Sequence, residues 1–200
     1  MRRFLQCIAL SVPWLSFGCV TEPSGGPSTD LGAAIVQAVA EGITTKVERA
    51  VGPDLYAALE ACAITEVFSL YPYPEGLEDD DPLMPLVRKT AMNLHGYPVI
   101  GHRVLEHATD KMELAALFAL SIASKQDESV ADCFEPRHGL RLAHDGAVFD
   151  LVVCFACEHC LVYEGGMQSA RVLVSEKSST EFTNVFRRLG LVVEGASEED

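Results

Sequence analysis

Apolar positions recur at helical spacing in the first half of the chain and alternate in the last third. Leu31, Ile35, Ala38, Val39, Ile43, Val47 and Ala50 share one helical face behind Thr29 and Asp30, and Gly52-Pro53 ends the run. A second helix is expected from Pro53, with Leu55, Leu59 and Cys62 on one stripe, which reads Cys62 as a buried free thiol. Strands are expected at about Glu66 to Tyr71 and Tyr97 to Leu105, separated by a Pro-rich acidic loop. Asp110 opens a strongly apolar helix through Met112, Leu114, Leu117, Phe118 and Ile122 to about Lys125.

After that helix the period becomes two. Leu140 to His144 and Ala147 to Phe155 flank Asp145-Gly146, the dipeptide that a two-residue hairpin turn favours because both central positions need φ above zero. On the second strand Val148, Asp150, Val152 and Cys154 face one way, and Phe149, Leu151, Val153 and Phe155 the other. Further strands are expected at Leu161 to Glu164 and Ala170 to Val174 around Gly165-Gly166. A last helix is expected behind the capping-box pattern Ser178-x-x-Glu181, ending at Gly190. Helices followed by a meander of strands predict an α+β domain with an antiparallel sheet and helices packed mainly on one face.

The N-terminus has a different pattern. Met1-Arg2-Arg3 precedes an apolar stretch from Phe4 to Leu15, too short to span a bilayer, and Ser16-Phe17-Gly18 places small residues three and one positions before Cys19. The order is that of a signal peptide over residues 1–18, followed by a Gly/Pro/Ser-rich tether over 19–30. Ser16-Phe17-Gly18-Cys19 resembles the lipobox of bacterial lipoproteins. That resemblance implies acylation of Cys19 and, with no Asp after it, transport to the outer membrane of a Gram-negative cell; a periplasmic soluble protein is the alternative. Residues 31–193 then form one domain, and 194–200 an acidic tail.

The net charge of −14 argues against nucleic acid, which needs clustered Lys and Arg, and against adhesion to anionic lipid heads. Glu78-Asp79-Asp80-Asp81 contributes part of that charge, but it lacks the spaced ligands and turn glycine of a calcium loop. A membrane partner is therefore expected only through the lipid anchor, and the protein or small-molecule partner of the domain is unspecified.

The candidate chemistry lies with the cysteines. Extending the hairpin register from His144 opposite Ala147 puts Arg137 opposite Cys154, and brings Cys133 near Cys157 and Glu158. Three readings follow. A Cys133–Cys157 disulfide suits an exported protein and is worth about 3 kcal/mol. Cys133, Cys154, Cys157 and Cys160, or His138 in place of the last, have the ligand types of a thiolate-rich zinc site. That site is opposed by the lack of Gly or Pro in the run and by an extended strand's sending Cys154 and Cys157 to opposite faces. Free thiols or a redox pair form the third reading, although a low-pKa Cys-x2-Cys belongs at a helix N-terminus and this one follows a strand. No cofactor is expected unless zinc binds.

Arg137-His138-Gly139-Leu140-Arg141 resembles the Arg-His-Gly-x-Arg signature of histidine phosphatases, in which the His accepts phosphate and the arginines hold it. In that family the motif follows an early strand of an α/β domain, whereas here it precedes a hairpin in the last third. The stretch from Cys133 to Arg141, with Asp150-Leu151-Val152-Val153-Cys154-Phe155-Ala156-Cys157, resembles a group of uncharacterised bacterial exported and lipoprotein-like proteins, which brings no established activity. The resulting expectation is a lipid-anchored envelope protein, stapled near the hairpin, that binds or supports a partner rather than catalysing. The alternative is a zinc protein or an enzyme using Arg137, His138 and the cysteines. His95, His102 and His107 are expected to be structural.

Overall fold

A computed structural model describes residues 41–73, 82–126, 131 and 133–193. The signal peptide, Cys19, the tether, the acidic loop at 78–81 and the tail at 194–200 lie outside them. The domain is α+β, as its pattern predicts. Its helices are α1 (41–51), α2 (Pro53–Glu60), α3 (Met84–Val87), α4 (Ala108–Ser124) and α5 (Ser179–Arg188). Its strands are β1 (Ile64–Leu70), β2 (Asn93–Leu94), β3 (Tyr97–Val104), β4 (His138–His144), β5 (Ala147–Cys154), β6 (His159–Glu164) and β7 (Met167–Leu173). They form one antiparallel sheet in the order β2-β3-β1-β4-β5-β6-β7. Among the described residues no helix is long and apolar enough to cross a membrane.

The central hairpin has the register read from the sequence. His144 pairs with Ala147, Leu142 with Phe149 and His138 with Val153. Asp145 and Gly146 have φ of 48° and 84°, the left-handed pair that a type I′ turn requires. Alternation then sorts the side chains. Leu140, Leu142, Phe149, Leu151, Val153, Cys160 and Val162 meet Leu55, Leu59, Leu114, Phe118, Ile122, Phe182 and Phe186 of the helices in one core. The opposite face carries Phe68, Leu70, Val99 and Val152, covered by Leu94, Tyr97 and Phe134.

That second face is closed by curling of the sheet. His95 and Gly96 (φ 51° and 99°) turn β2 into β3, with the Asn93 side-chain oxygen accepting the Gly96 N–H at 2.6 Å. Although β2 is an edge strand, this turn lies over β5 and β6, where His95 stacks on Tyr163 with ring centroids 3.6 Å apart. Leu94 packs so tightly under it that a Cβ on Gly139 would meet Leu94 Cδ2 at 2.7 Å and Phe68 Cβ at 3.2 Å. Gly139 is therefore a close-approach glycine, and the Arg-His-Gly sequence has a packing role here.

Three local expectations are corrected. Cys62 does not lie on the face of α2, which ends at Glu60; it sits half-buried just beyond the helix with φ 51° and, as expected, forms no disulfide. The Ser178 side chain does not cap α5. A 3-10 turn over Glu176–Ser178 precedes that helix, and Ser175 accepts the Lys177 N–H instead, so the chain is already helical where the capping box would begin. Finally β5 stops at Cys154, and a turn over 155–158 with Glu158 at φ 56° reverses the chain, so Cys154 and Cys157 do not diverge as an extended strand would make them.

Candidate functional site

Two groups of side chains stand out, and the hairpin assembles both. The first is the cysteine cluster. The turn after β5 brings the Cα atoms of Cys154 and Cys157 to 5.2 Å, and their sulfurs form a disulfide. The expected Cys133–Cys157 bridge is thus replaced by Cys154–Cys157. Cys133 is nevertheless where the register puts it, with its Sγ 3.8 Å from Cys157 Sγ. Cys133 is an exposed free thiol, while Cys154 and Cys157 are buried. Two backbone amides aim at the bridge: Glu135 N–H donates to Cys157 Sγ at 3.3 Å, and Cys157 N–H donates to Cys154 Sγ at 3.1 Å.

The four-cysteine zinc set does not assemble. Cys160 pairs with Val153 and points into the helix-side core, whereas Cys154 pairs with His159 and belongs to the opposite face. Burial pushes the Cys160 thiol well above the ordinary thiol range, against a smaller opposing hydrogen bond from the Val152 backbone, so it remains protonated. Among the described residues no group of three His, Cys, Asp or Glu side chains is arranged to hold a metal ion.

His138, the other sequence candidate, is also unsuited to surface chemistry. It is inside the helix-side core, edge-on to Phe155, Phe182 and Phe186, with Nε2 3.1 Å from Thr183 Oγ1. Burial, assisted by the neighbouring Arg137 charge, lowers its pKa to about 3, so the ring is neutral. Arg137 is half-buried and donates from Nη1 to the Glu135 carbonyl at 3.4 Å. Arg137 lies just before β4 and is half-buried, whereas His138 is enclosed by core aromatic rings, so the two do not act together on one ligand.

The second group was not singled out from sequence. On the face away from the helices, Arg141 Nε and Nη2 donate to the two oxygens of Asp150 at 2.7 and 3.0 Å, and Nη1 donates to Glu66 at 3.4 Å. His95 Nε2–H donates to Asp150 at 2.8 Å and His102 Nε2–H to Glu66 at 2.7 Å. His102 also stacks on Phe68, and the Arg141 guanidinium lies 5.4 Å from the centre of that ring. A charged chain thus crosses β3, β1, β4 and β5 and ends at the β2–β3 turn. The local signal was present in the pairing of Arg141 with Asp150, which follows from the hairpin register. The two histidines arrive through long-range folding.

Beside it, Phe134 stacks on His159 at 4.6 Å and meets Tyr97 edge-on. His159 Nδ1–H donates to the Cys157 carbonyl at 2.9 Å and its Nε2 accepts from Arg171 at 3.0 Å. Burial lowers the His159 pKa most; the carbonyl bond opposes that and the Arg171 charge adds to it. A cavity of about 360 Å³ near the β7 edge is lined by Lys46, Lys125 and Arg171, but these cations already serve the Ala123 carbonyl, Glu158 and His159 respectively.

No protein-family model matches the chain, and no curated protein or solved structure matches it either.

Two outcomes are expected. The folded state holds His138 neutral down to about pH 3, whereas an unfolded histidine takes up a proton near its ordinary 6.5. Its contribution to stability is complete above pH 6.5 and is lost as pH falls toward 3, at up to about 1.4 kcal/mol per pH unit. Urea unfolding at stepped pH should show that slope reduced in His138→Gln, and equal slopes in the two proteins would contradict the assignment. In the polar network, Asp150→Asn leaves Arg141 and His95 without their shared anion and should cost about 2 kcal/mol. Glu66→Gln, at a more exposed carboxylate whose contact with Arg141 is longer, should cost less than about 1 kcal/mol at pH 7 by the same measurement.

Proposed function

We propose that this chain is a lipid-anchored protein of the bacterial envelope, attached through acylated Cys19, whose domain is a non-catalytic binding or structural module closed by a disulfide. The observation that carries the reading is the Cys154–Cys157 bridge. Disulfides persist in oxidising compartments, in agreement with the signal-like order of residues 1–18 and the cysteine that follows. Outer-membrane placement belongs to the same reading, on the lipobox resemblance and the absence of Asp after Cys19.

The non-catalytic part rests on how the polar groups are used. His95 and His102 are hydrogen-bonded to carboxylates, the Asp150 carboxylate is held by Arg141, and His138 is enclosed by aromatic rings. Such a constellation orders a surface for recognition rather than activating a nucleophile. Glu66, His102, Arg141 and His95 remain half-buried, and with Tyr97 and Phe134 beside them they offer a protein or small-molecule partner both charge and aromatic area.

Globomycin treatment of cells making the full chain tests the anchor. Accumulation of the uncleaved precursor in membranes is expected, together with an acylated N-terminal peptide beginning at Cys19 in untreated cells. A mature form beginning at unmodified Cys19 and recovered in the soluble fraction would overturn the proposal.

A further inference from the structure

We infer that Cys133, Cys157 and Cys154 form a thiol–disulfide exchange site in which Cys133 is the entry for an external dithiol, so that the bridge is exchangeable and not only a staple. This goes beyond the binding-module reading and is independent of the lipid anchor. Three observations carry it. Cys133 Sγ lies 3.8 Å from Cys157 Sγ, close to van der Waals contact between the free thiol and one sulfur of the bridge. The bridge sulfurs belong to residues with 1% and 0% exposure, whereas Cys133 is exposed. The sulfur that would leave, Cys154 Sγ, already receives the Cys157 N–H at 3.1 Å, a fixed donor for the charge that develops there.

Exchange requires a thiolate to attack one sulfur while the other leaves. In the internal step Cys133, having lost its proton to water, attacks Cys157 Sγ. The Cys133–Cys157 bond forms, the Cys157–Cys154 bond breaks, and Cys154 departs as a thiolate that takes up a proton. No electrons are gained or lost overall. The Cys133–Cys157 disulfide now has one sulfur at the surface.

The external reaction starts there. One thiolate of a dithiol partner attacks Cys133 Sγ to give a mixed disulfide and releases Cys157 as a thiolate. The partner's second thiolate attacks the partner sulfur of that mixed disulfide, closing the partner's own disulfide and releasing Cys133. The partner loses two electrons and two protons, and Cys133, Cys154 and Cys157 end as three thiols. The reverse sequence re-forms the bridge at the expense of a partner disulfide. Cys160, buried on the other face and kept protonated, takes no part.

Dithiothreitol is the probe for the test, used on the native mature protein, with free thiols trapped by acid quench and alkylation and located by peptide mapping. Reduction of the Cys154–Cys157 bridge should be at least tenfold slower in Cys133→Ser than in the wild type under native conditions, and equal in the two proteins in denaturant. Equal native rates in two folded proteins would overturn the proposal. Cys154→Ser provides the second measurement: treated with oxidised glutathione it should form the Cys133–Cys157 disulfide, and recovery of both as unbridged cysteines would also overturn it. If that second variant does not fold, the first comparison still decides the matter.

Discussion

The pairing of His144 with Ala147 across Asp145-Gly146 sets the position of nearly every functional group in this domain. Because side chains alternate along a strand, a slip of one residue would exchange the two faces of β5. Phe149, Leu151 and Val153 would lose their helix partners, and Asp150 would turn from Arg141 into the apolar core. Beyond the paired residues the segment before β4 runs past the end of β5, where the turn over 155–158 brings Cys157 against Cys133. The hairpin turn thus specifies a core and a charged face, and this second turn completes the cysteine cluster.

The two faces handle polar groups in opposite ways. On the helix side His138 is surrounded by aromatic rings and held neutral, since a proton there would have neither water nor an anion to stabilise it. On the other side the charges of Arg141, Asp150 and Glu66 are retained because each is matched within hydrogen-bonding distance and the edges of the network reach solvent. The β2–β3 turn completes that face by laying His95 on Tyr163 and giving Asp150 a third donor. Gly139 is what lets the turn lie so close.

Patterns confined to a few neighbouring residues were legible in the sequence, and contacts that span the sheet were not. Alternation in Ala147 to Cys154, the Asp145-Gly146 turn, the Gly52-Pro53 break and the stop at Gly190 each depend on local geometry, and each has the expected form. His95 carried no such mark. It occupies a left-handed turn position that histidine visits only occasionally, and its partners are 55 residues away or more. The Cys154–Cys157 bridge was missed for a related reason: the reversal over 155–158 is made by Glu158 in a left-handed conformation, with no Gly or Pro to announce it. The capping pattern at Ser178 was a true local signal displaced by another, the 3-10 turn that Ser175 opens.

The register itself is the most direct point at which to test the account. In a two-residue hairpin the pair flanking the turn is hydrogen-bonded, and the alternate pairs, Ala143 with Val148 and Arg141 with Asp150, bring their Cα atoms to about 4.5 Å. Nuclear Overhauser spectroscopy of the isotope-labelled mature protein should therefore show an Hα–Hα contact between Arg141 and Asp150. A contact from Arg141 Hα to that of Phe149 or Leu151 in its place would mean a slipped strand, and with it neither the charged face nor the approach of Cys133 to the bridge would stand.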